Sequence, residues 1–316
     1  MAGTSRKVTV VGAGNVGSNT ARRVAERDIA DEVVMIDIVE GLPQGLALDI
    51  NQSGPVVGFD THVSGTNDYA DTAGSEVVVI TAGLPRKPGM SRMDLLDTNA
   101  EIVGGVTEQI ATNSPDTIII VVSNPLDEMT YLASVVSGFP KERVMGMAGV
   151  LDSARLRTFI AEKLDVPRTS VEAMTLGSHG DQMVALPRQA TVQGKPLPEL
   201  VSEEDLEQLF QRTRDAGAEI VGYLKKGSAF YAPAASAAQM VNAILGDTNE
   251  VLPTCAWTTG QYGVSDVYLG VPAKLGRGGV TEIVELDLDE KELGQLREAA
   301  EAIRAKCSEL DARRDI

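Results

Sequence analysis

The sequence predicts an α/β protein, a doubly wound parallel sheet followed by a mixed α+β domain, and three observations carry that prediction. Short β-branched runs alternate with longer helical stretches through the first half of the 316 residues. The runs are almost continuously apolar, as expected of strands covered by helices on both faces. After about Gly146 the alternation stops. In order, the first half offers strands at Val8 to Val11, Val33 to Ile36, Val77 to Thr81 and Thr117 to Val122, with a weaker run near Val144. The second half offers a helix from about Leu151 to Leu164, a strand ending before Gly177 and a hairpin around Gln193 to Lys195. Ala/Glu-rich helices near 202 to 225 and 288 to 312 complete it. Two domains are expected, 1–146 and 147–316.

Composition narrows the partners. With 45 Asp and Glu against 28 Lys and Arg, the formal charge of −17 repels polyanions, so neither nucleic acid nor an anionic membrane is expected. The two cysteines, Cys255 and Cys307, stand in no metal-like or redox-like spacing, so no metal site is expected and a reduced, cytoplasmic setting fits. No run approaches the roughly 20 apolar residues of a membrane helix, and no secretion signal is visible, so a soluble protein is expected.

Directly after the first strand stand Gly12, Ala13, Gly14, Asn15, Val16 and Gly17, followed by a helical stretch from Ser18 to about Arg27. Strand, glycine spacing and helix together form the dinucleotide fingerprint of a Rossmann-type sheet. The first glycine makes the tight turn, the second admits the pyrophosphate, and the third packs helix on strand. The second strand ends at Asp37, where a carboxylate accepts a hydrogen bond from the ribose 2′-hydroxyl and repels a 2′-phosphate, which favours NAD over NADP. The first domain is therefore read as dinucleotide-binding and the second as the substrate/catalytic domain.

Hydride transfer to or from a carbon bearing oxygen needs a group that trades a proton near neutral pH. Of the two histidines, His62 lies in the alternating segment Thr61, His62, Val63, Ser64 and reads as an ordinary strand position. His179 follows an apolar strand and lies between Gly177 and Gly180, where a ligand can come close. Asp152 and Arg155, three apart at the start of a helix, share one face. Asp152 reads either as a helix cap or as the partner that orients and charges His179; Arg155 reads as a local ion pair or a planar fork for a carboxylate. The stretch Ala82 to Met93 is a loop at the carboxyl edge of the sheet, either a solvated basic loop or a lid carrying Arg86 and Arg92. Asn124, after the strand ending at Val122, either caps the next helix or presents its amide to a substrate.

The motifs GAGNVG, AGLPRKPGMSRMDLL, VVSNP, LDSARLR and GSHGD, with Asp37, resemble the lactate/malate dehydrogenase family in order and spacing over nearly the full chain. The resemblance implies that His179 gives and takes the hydroxyl proton while Asp152 stabilises its protonated form. Arg155 would bind the substrate's C1 carboxylate, Arg92 would polarise the ketone, and Asn124 would bond near the same oxygen. For NAD it implies a site of Gly12, Gly14, Asn15, Val16, Gly17, Asp37, Thr81, Ala82, Gly83, Asn99, Val122 and Asn124. At position 86 the lactate enzymes carry glutamine and the malate enzymes arginine, as here, so a dicarboxylate is expected: malate and oxaloacetate. A guanidinium in a closing, desolvated pocket needs an anion, and losing it would cost on the order of 3 to 5 kcal/mol. The segment Gly227 to Pro233 has alanine where the lactate enzymes place a threonine, which leaves room for a larger substrate.

Within the family the loop RKPGMSR and the stretch DIVEGLPQGLALD look like the lactate-dehydrogenase-like malate dehydrogenases, tricarboxylic acid cycle enzymes that are commonly homotetramers. The rival readings are a dehydrogenase of lactate or another 2-hydroxy acid, against which Arg86 argues, and a non-catalytic dinucleotide sensor. A sensor would not need His179, Asp152, Arg92 and Arg155 together. Only 10 of the cations are lysine. This acidic, lysine-poor composition resembles that of proteins adapted to a salt-rich cytoplasm, where screening relieves self-repulsion.

Overall fold

The computed structural model describes residues 6–84, 92–180 and 182–314, with Arg92 described in its backbone only. The chain forms two compact units. The first begins with β1 (Lys7–Val11), α1 (Asn15–Glu26), β2 (Glu32–Ile36), α2 (Leu42–Val57) and β3 (His62–Thr66). It continues through β4 (Val77–Ile80), α3 (Arg92–Asn113), β5 (Ile118–Val121), α4 (Leu126–Ser137) and β6 (Val144–Gly146). Its strands stand in the order β3-β2-β1-β4-β5-β6, all parallel, with Val10 opposite Met35 on one side and Val79 on the other. This is the Rossmann order, which brings the carboxyl ends of β1 and β4 side by side where the chain reverses direction across the sheet. Every residue of β4 and β5 is buried, as continuous apolar runs under two layers of helices require. His62 opens β3 and is exposed, in keeping with an ordinary strand position.

The second unit contains α5 (Gly149–Leu164), β7 (Val171–Glu172), β8 (Thr175–Gly177), β9 (Met183–Ala185), β10 (Thr191–Val192), β11 (Lys195–Pro196) and α6 (Glu203–Leu224). The expected hairpin joins β10 and β11, with Gln193 and Gly194 both at positive φ in its turn. Ser202 caps α6 by accepting a hydrogen bond from the Asp205 N–H, and three carboxylates fill the first turn, where the helix dipole favours negative charge. Leu156, Ile160 and Ala161 of α5 meet Val171, Val192 and Leu209 in one buried cluster. Near the end of the chain come β12 (Glu250–Thr259), β13 (Ser265–Gly276), β14 (Gly279–Ile283) and α8 (Glu290–Arg314). A reciprocal box starts α8: Asp289 accepts from the Glu292 N–H at 2.8 Å, and Glu292 accepts from the Asp289 N–H at 2.9 Å.

The units are not divided by a single cut. The first ends at Met147, beside the expected boundary, but it also includes Phe230–Glu250 and Lys274–Glu282. The physical reason is α7 (Tyr231–Leu245), a helix that buries Ala234, Ala237, Ala238 and Ala243 and packs on α1, adding a layer to the first sheet. At two helix starts the capping alternative is not the one the structure adopts. α5 begins at Gly149 with Ala148 as its N-cap, so Asp152 lies inside the first turn and is not a cap. Pro125, not Asn124, occupies the N-cap position of α4. In both places the polar residue that suggested a cap lies off the cap position, at 152 within the helix and at 124 one residue before it.

Candidate active site

The glycine turn between β1 and α1 carries out three separate steric tasks. Gly12 has φ +97°, and a Cβ there would meet the Ala82 nitrogen at 2.9 Å. At Gly17 a Cβ would sit 1.8 Å from the Gly12 carbonyl oxygen, so only glycine allows α1 to pack this close to the turn. At Gly14 a Cβ would meet nothing within 4 Å, and Gly14 caps α1 without any side-chain hydrogen bond. A helix N-terminus with no side-chain cap and an open approach over Gly14 suits an anionic group, so these residues fit a pyrophosphate. Asn15 and Val16 supply the first two residues of that helix.

Asp37 is locked from two sides: one carboxylate oxygen accepts from the Ala13 N–H at 2.7 Å and the other from the Val39 N–H at 2.9 Å. On β4's side, the Thr81 hydroxyl donates to the carbonyls of Val11 at 3.0 Å and Gly12 at 3.1 Å, joining the ends of β1 and β4. Ser123 donates to the Ala82 carbonyl at 2.5 Å and thereby ties the residues after Val122 to the same edge. Asn99, on α3 and 1% exposed, has its amide engaged on both sides. It accepts from the Leu84 N–H at 2.8 Å and donates to the carbonyls of Leu84 at 3.1 Å and Asn124 at 2.6 Å. Asn99 thus shapes the edge formed by Gly83, Leu84 and Asn124, while the Asn124 side chain is exposed. Arg86 lies outside the described residues, and Arg92 is the first residue of α3, at the end of the loop.

In the second unit the three residues singled out by sequence come together. His179 follows β8 and Gly177, whose φ is +84°. Its Nδ1 lies 2.8 Å from Oδ2 of Asp152, while Oδ1 of the same carboxylate accepts from Nη1 of Arg155 at 3.1 Å. Asp152 is 2% exposed. A carboxylate this deep is costly unless its charge is compensated, and the two nitrogen partners supply that compensation. The shared carboxylate also fixes the ring: with Nδ1 carrying the proton toward Asp152, Nε2 is the nitrogen left to exchange a proton with a ligand. Arg155 keeps an unused donor, for its Nε is buried without a hydrogen-bond partner among the described residues. Facing α6 offers glycine at 217, where a Cβ would lie 3.7 Å from Arg155 Nη2. A planar acceptor such as a carboxylate satisfies the Nε/Nη2 edge of a guanidinium in two parallel bonds.

Sequence reasoning did not find Ser153. Its hydroxyl oxygen accepts from the Thr175 N–H at 3.0 Å, which joins the first turn of α5 to the first residue of β8. A serine beside an aspartate in a helix gives no sequence signal of such a bond.

The comparisons with known proteins span nearly the whole chain. Residues 6–146 match the family description "lactate/malate dehydrogenase, NAD binding domain" and residues 149–313 match "lactate/malate dehydrogenase, alpha/beta C-terminal domain". The chain is 56% identical to the malate dehydrogenase of Salinibacter ruber over 98% of each chain. It is 54% identical to that of Chloroherpeton thalassium over 97% of this chain and 99% of the other. The solved structure of the Salinibacter ruber malate dehydrogenase superposes with a TM-score of 0.94 at 54% identity, covering 98% of this chain and 99% of that one. A Cryptosporidium parvum lactate dehydrogenase complexed with lactic acid and nicotinamide adenine dinucleotide superposes at 0.93, with 42% identity and 98% of each chain covered. A glycine turn shaped for a dinucleotide, an aspartate that holds both a histidine and an arginine, and matches to both family domains lead to one conclusion: this chain belongs to the lactate/malate dehydrogenase family.

Proposed function

We propose that the chain is an NAD-dependent malate dehydrogenase, which interconverts malate and NAD⁺ with oxaloacetate, NADH and a proton. The observation that carries this reading is the Asp152 carboxylate holding His179 at 2.8 Å and Arg155 at 3.1 Å. NAD supplies a hydride acceptor when bound. His179 takes the proton of the C2 hydroxyl on Nε2, so that C2 becomes a ketone as its hydride departs; in the reverse direction the imidazolium returns that proton. Asp152 keeps the imidazolium in one orientation and stabilises its charge. Arg155 grips the C1 carboxylate, Arg92 and Asn124 bond near the reacting oxygen, and Arg86 pairs with the second carboxylate. Gly12, Gly14, Asn15, Val16 and Gly17 receive the pyrophosphate and Asp37 the adenosine ribose, while Thr81, Ala82, Gly83, Asn99, Val122 and Asn124 border the nicotinamide side.

Arg86 selects malate over lactate. The deciding assay is steady-state NADH oxidation with oxaloacetate and with pyruvate, for the wild type and Arg86→Gln. An unpaired guanidinium costing about 3 to 5 kcal/mol corresponds to a preference for oxaloacetate of roughly 10² to several times 10³ that the variant loses. Equal use of both substrates by the wild type overturns the assignment in favour of a general 2-hydroxy acid dehydrogenase. Tight NADH binding with no turnover of any 2-oxo acid, unchanged by His179→Ala, overturns it in favour of a sensor.

The setting is also part of the proposal: a cytoplasmic homotetramer serving the tricarboxylic acid cycle in a salt-rich solvent. Self-association is supported by α2, which leaves Leu48, Val56 and Val57 more than half exposed. A monomer in sedimentation at working concentration refutes it. The charge of −17 supports salt adaptation. Full stability without KCl combined with inhibition at molar KCl counts against it.

A further inference from the structure

We infer that Asn67 is a positioning residue for the cofactor's adenosine ribose, holding the Asp37 loop in the conformation that accepts a 2′-hydroxyl and rejects a 2′-phosphate. The inference rests on the reading of Asp37 as the ribose carboxylate. The loop between β2 and α2 is not anchored by apolar packing, since Ile38 is 95% exposed and Val39 52%. Hydrogen bonds must therefore hold it. Asn67, the residue after β3, donates from Nδ2 to the carbonyl of Asp37 at 2.6 Å and to that of Val39 at 3.2 Å. Gln44 on α2 donates to Asn67 Oδ1 at 2.7 Å. Because both backbone partners can only accept, the amide nitrogen of Asn67 must face the loop and its oxygen must face Gln44. Gly65 makes this approach possible: a Cβ there would lie 2.2 Å from the Pro43 carbonyl, so the first turn of α2 sits directly on the end of β3.

The bonds form a relay. Asn67 fixes the carbonyls of Asp37 and Val39; the Val39 N–H in turn holds one oxygen of the Asp37 carboxylate at 2.9 Å. If Asn67 is released, the loop backbone keeps only the long bonds from Asp37 N–H to the Thr66 carbonyl and from Leu42 N–H to the Val39 carbonyl, each 3.3 Å, so the Val39 N–H that holds the carboxylate loosens and the carboxylate can swing about its bond from Ala13. A carboxylate that swings contacts the 2′-hydroxyl less often and lets a 2′-phosphate enter, so affinity and selectivity fall together. The reacting atoms are untouched.

The test is malate oxidation by the full-length protein with NAD⁺, NADP⁺ and 2′-deoxy-NAD⁺, using Asn67→Ala, Asn67→Asp and Asp37→Ala. Asn67→Asp keeps the shape of the side chain but turns an acceptor toward two carbonyls. On the inference, KM for NAD⁺ rises about threefold in Asn67→Ala and about tenfold in Asn67→Asp, with kcat within twofold of wild type. The ratio of kcat/KM for NAD⁺ to that for NADP⁺ narrows by at least the same factors. With 2′-deoxy-NAD⁺, whose adenosine ribose lacks the 2′-hydroxyl from which Asp37 is read as accepting, the two Asn67 variants match the wild type. If Asp37→Ala shifts the NAD⁺ to NADP⁺ ratio but neither Asn67 variant does, the inference fails while the reading of Asp37 stands. If Asp37→Ala leaves the ratio unchanged, the reading of Asp37 fails and the inference with it. Equal losses with NAD⁺ and 2′-deoxy-NAD⁺ make Asn67 merely structural and overturn the inference.

Discussion

Replacing Asp152 by asparagine preserves its shape and removes its charge, and the structure allows the effect to be worked out. The carboxylate accepts on both oxygens, from Arg155 Nη1 at 3.1 Å and toward His179 Nδ1 at 2.8 Å. An amide can accept on one side only. With its oxygen toward His179, its NH₂ points at a guanidinium donor; reversed, its NH₂ faces Nδ1 and forces the imidazole into the opposite tautomer. Each charge-assisted bond is worth about 1.5 to 3 kcal/mol, and breaking one partner of a buried pair costs about 3 to 5 kcal/mol. At about 1.4 kcal/mol per tenfold, kcat/KM for oxaloacetate falls by roughly 10² to several times 10³. The direction with pH follows as well. Reduction of oxaloacetate needs the imidazolium that the carboxylate holds in place, so the loss in the variant grows as pH rises. Stopped-flow or steady-state NADH oxidation from pH 5 to 9 measures both quantities. A well-folded Asp152→Asn protein within threefold of wild type across that range refutes the reasoning.

Ser153→Ala removes the acceptor for the Thr175 N–H at 3.0 Å and loosens α5 from β8, so kcat/KM should fall about threefold to tenfold, and Ser153→Thr should restore it. In an Asp152→Asn background the same change should cost nothing further in catalysis; an additive loss shows that Ser153 acts elsewhere. Burial, and secondarily the charge of Asp37, pushes the Tyr69 phenol up to about 12. An unfolded tyrosine ionises near 10, so this group's contribution to stability is complete below pH 10 and is lost as pH rises through about 12. Burial also pushes the Tyr262 phenol up, so absorbance titration near 295 nm should show late phenols of which Tyr69→Phe deletes one; an unchanged late amplitude in that variant contradicts the assignment.

The parallel sheet was legible because its strands, such as Val77–Ile80, are buried on both faces and therefore read as unbroken apolar runs. Gly12 and Gly17 were legible because no other residue fits where a Cβ would meet the backbone at 2.9 and 1.8 Å. The active triad was legible only as two segments: i and i+3 spacing puts Asp152 and Arg155 together, but no local rule brings His179 to them from 27 residues away. α7 escaped notice as part of the first unit because its alanines are equally compatible with either sheet, and contact with α1 is a tertiary fact. Ser153 and Asn67 were illegible for a related reason. Each works through a hydrogen bond to distant backbone, and backbone partners carry no residue identity that a sequence can display.

The two-sided use of Asp152 has a thermodynamic consequence. Around one carboxylate the ledger of charge is −1 from Asp152, +1 from Arg155 and either 0 or +1 from His179. Only the protonated form leaves a net positive site for the C1 carboxylate of a 2-oxo acid, whereas a 2-hydroxy acid must meet the neutral imidazole to give up its proton. On this reading, anion binding and proton uptake are a single linked equilibrium. As rising pH takes the proton from the imidazolium, the apparent affinity for oxaloacetate weakens, while the affinity for malate does not. The direction in which the reaction runs is thus sensitive to the proton concentration of the solvent twice, once through the proton in the overall equation and once through which ligand the site can hold.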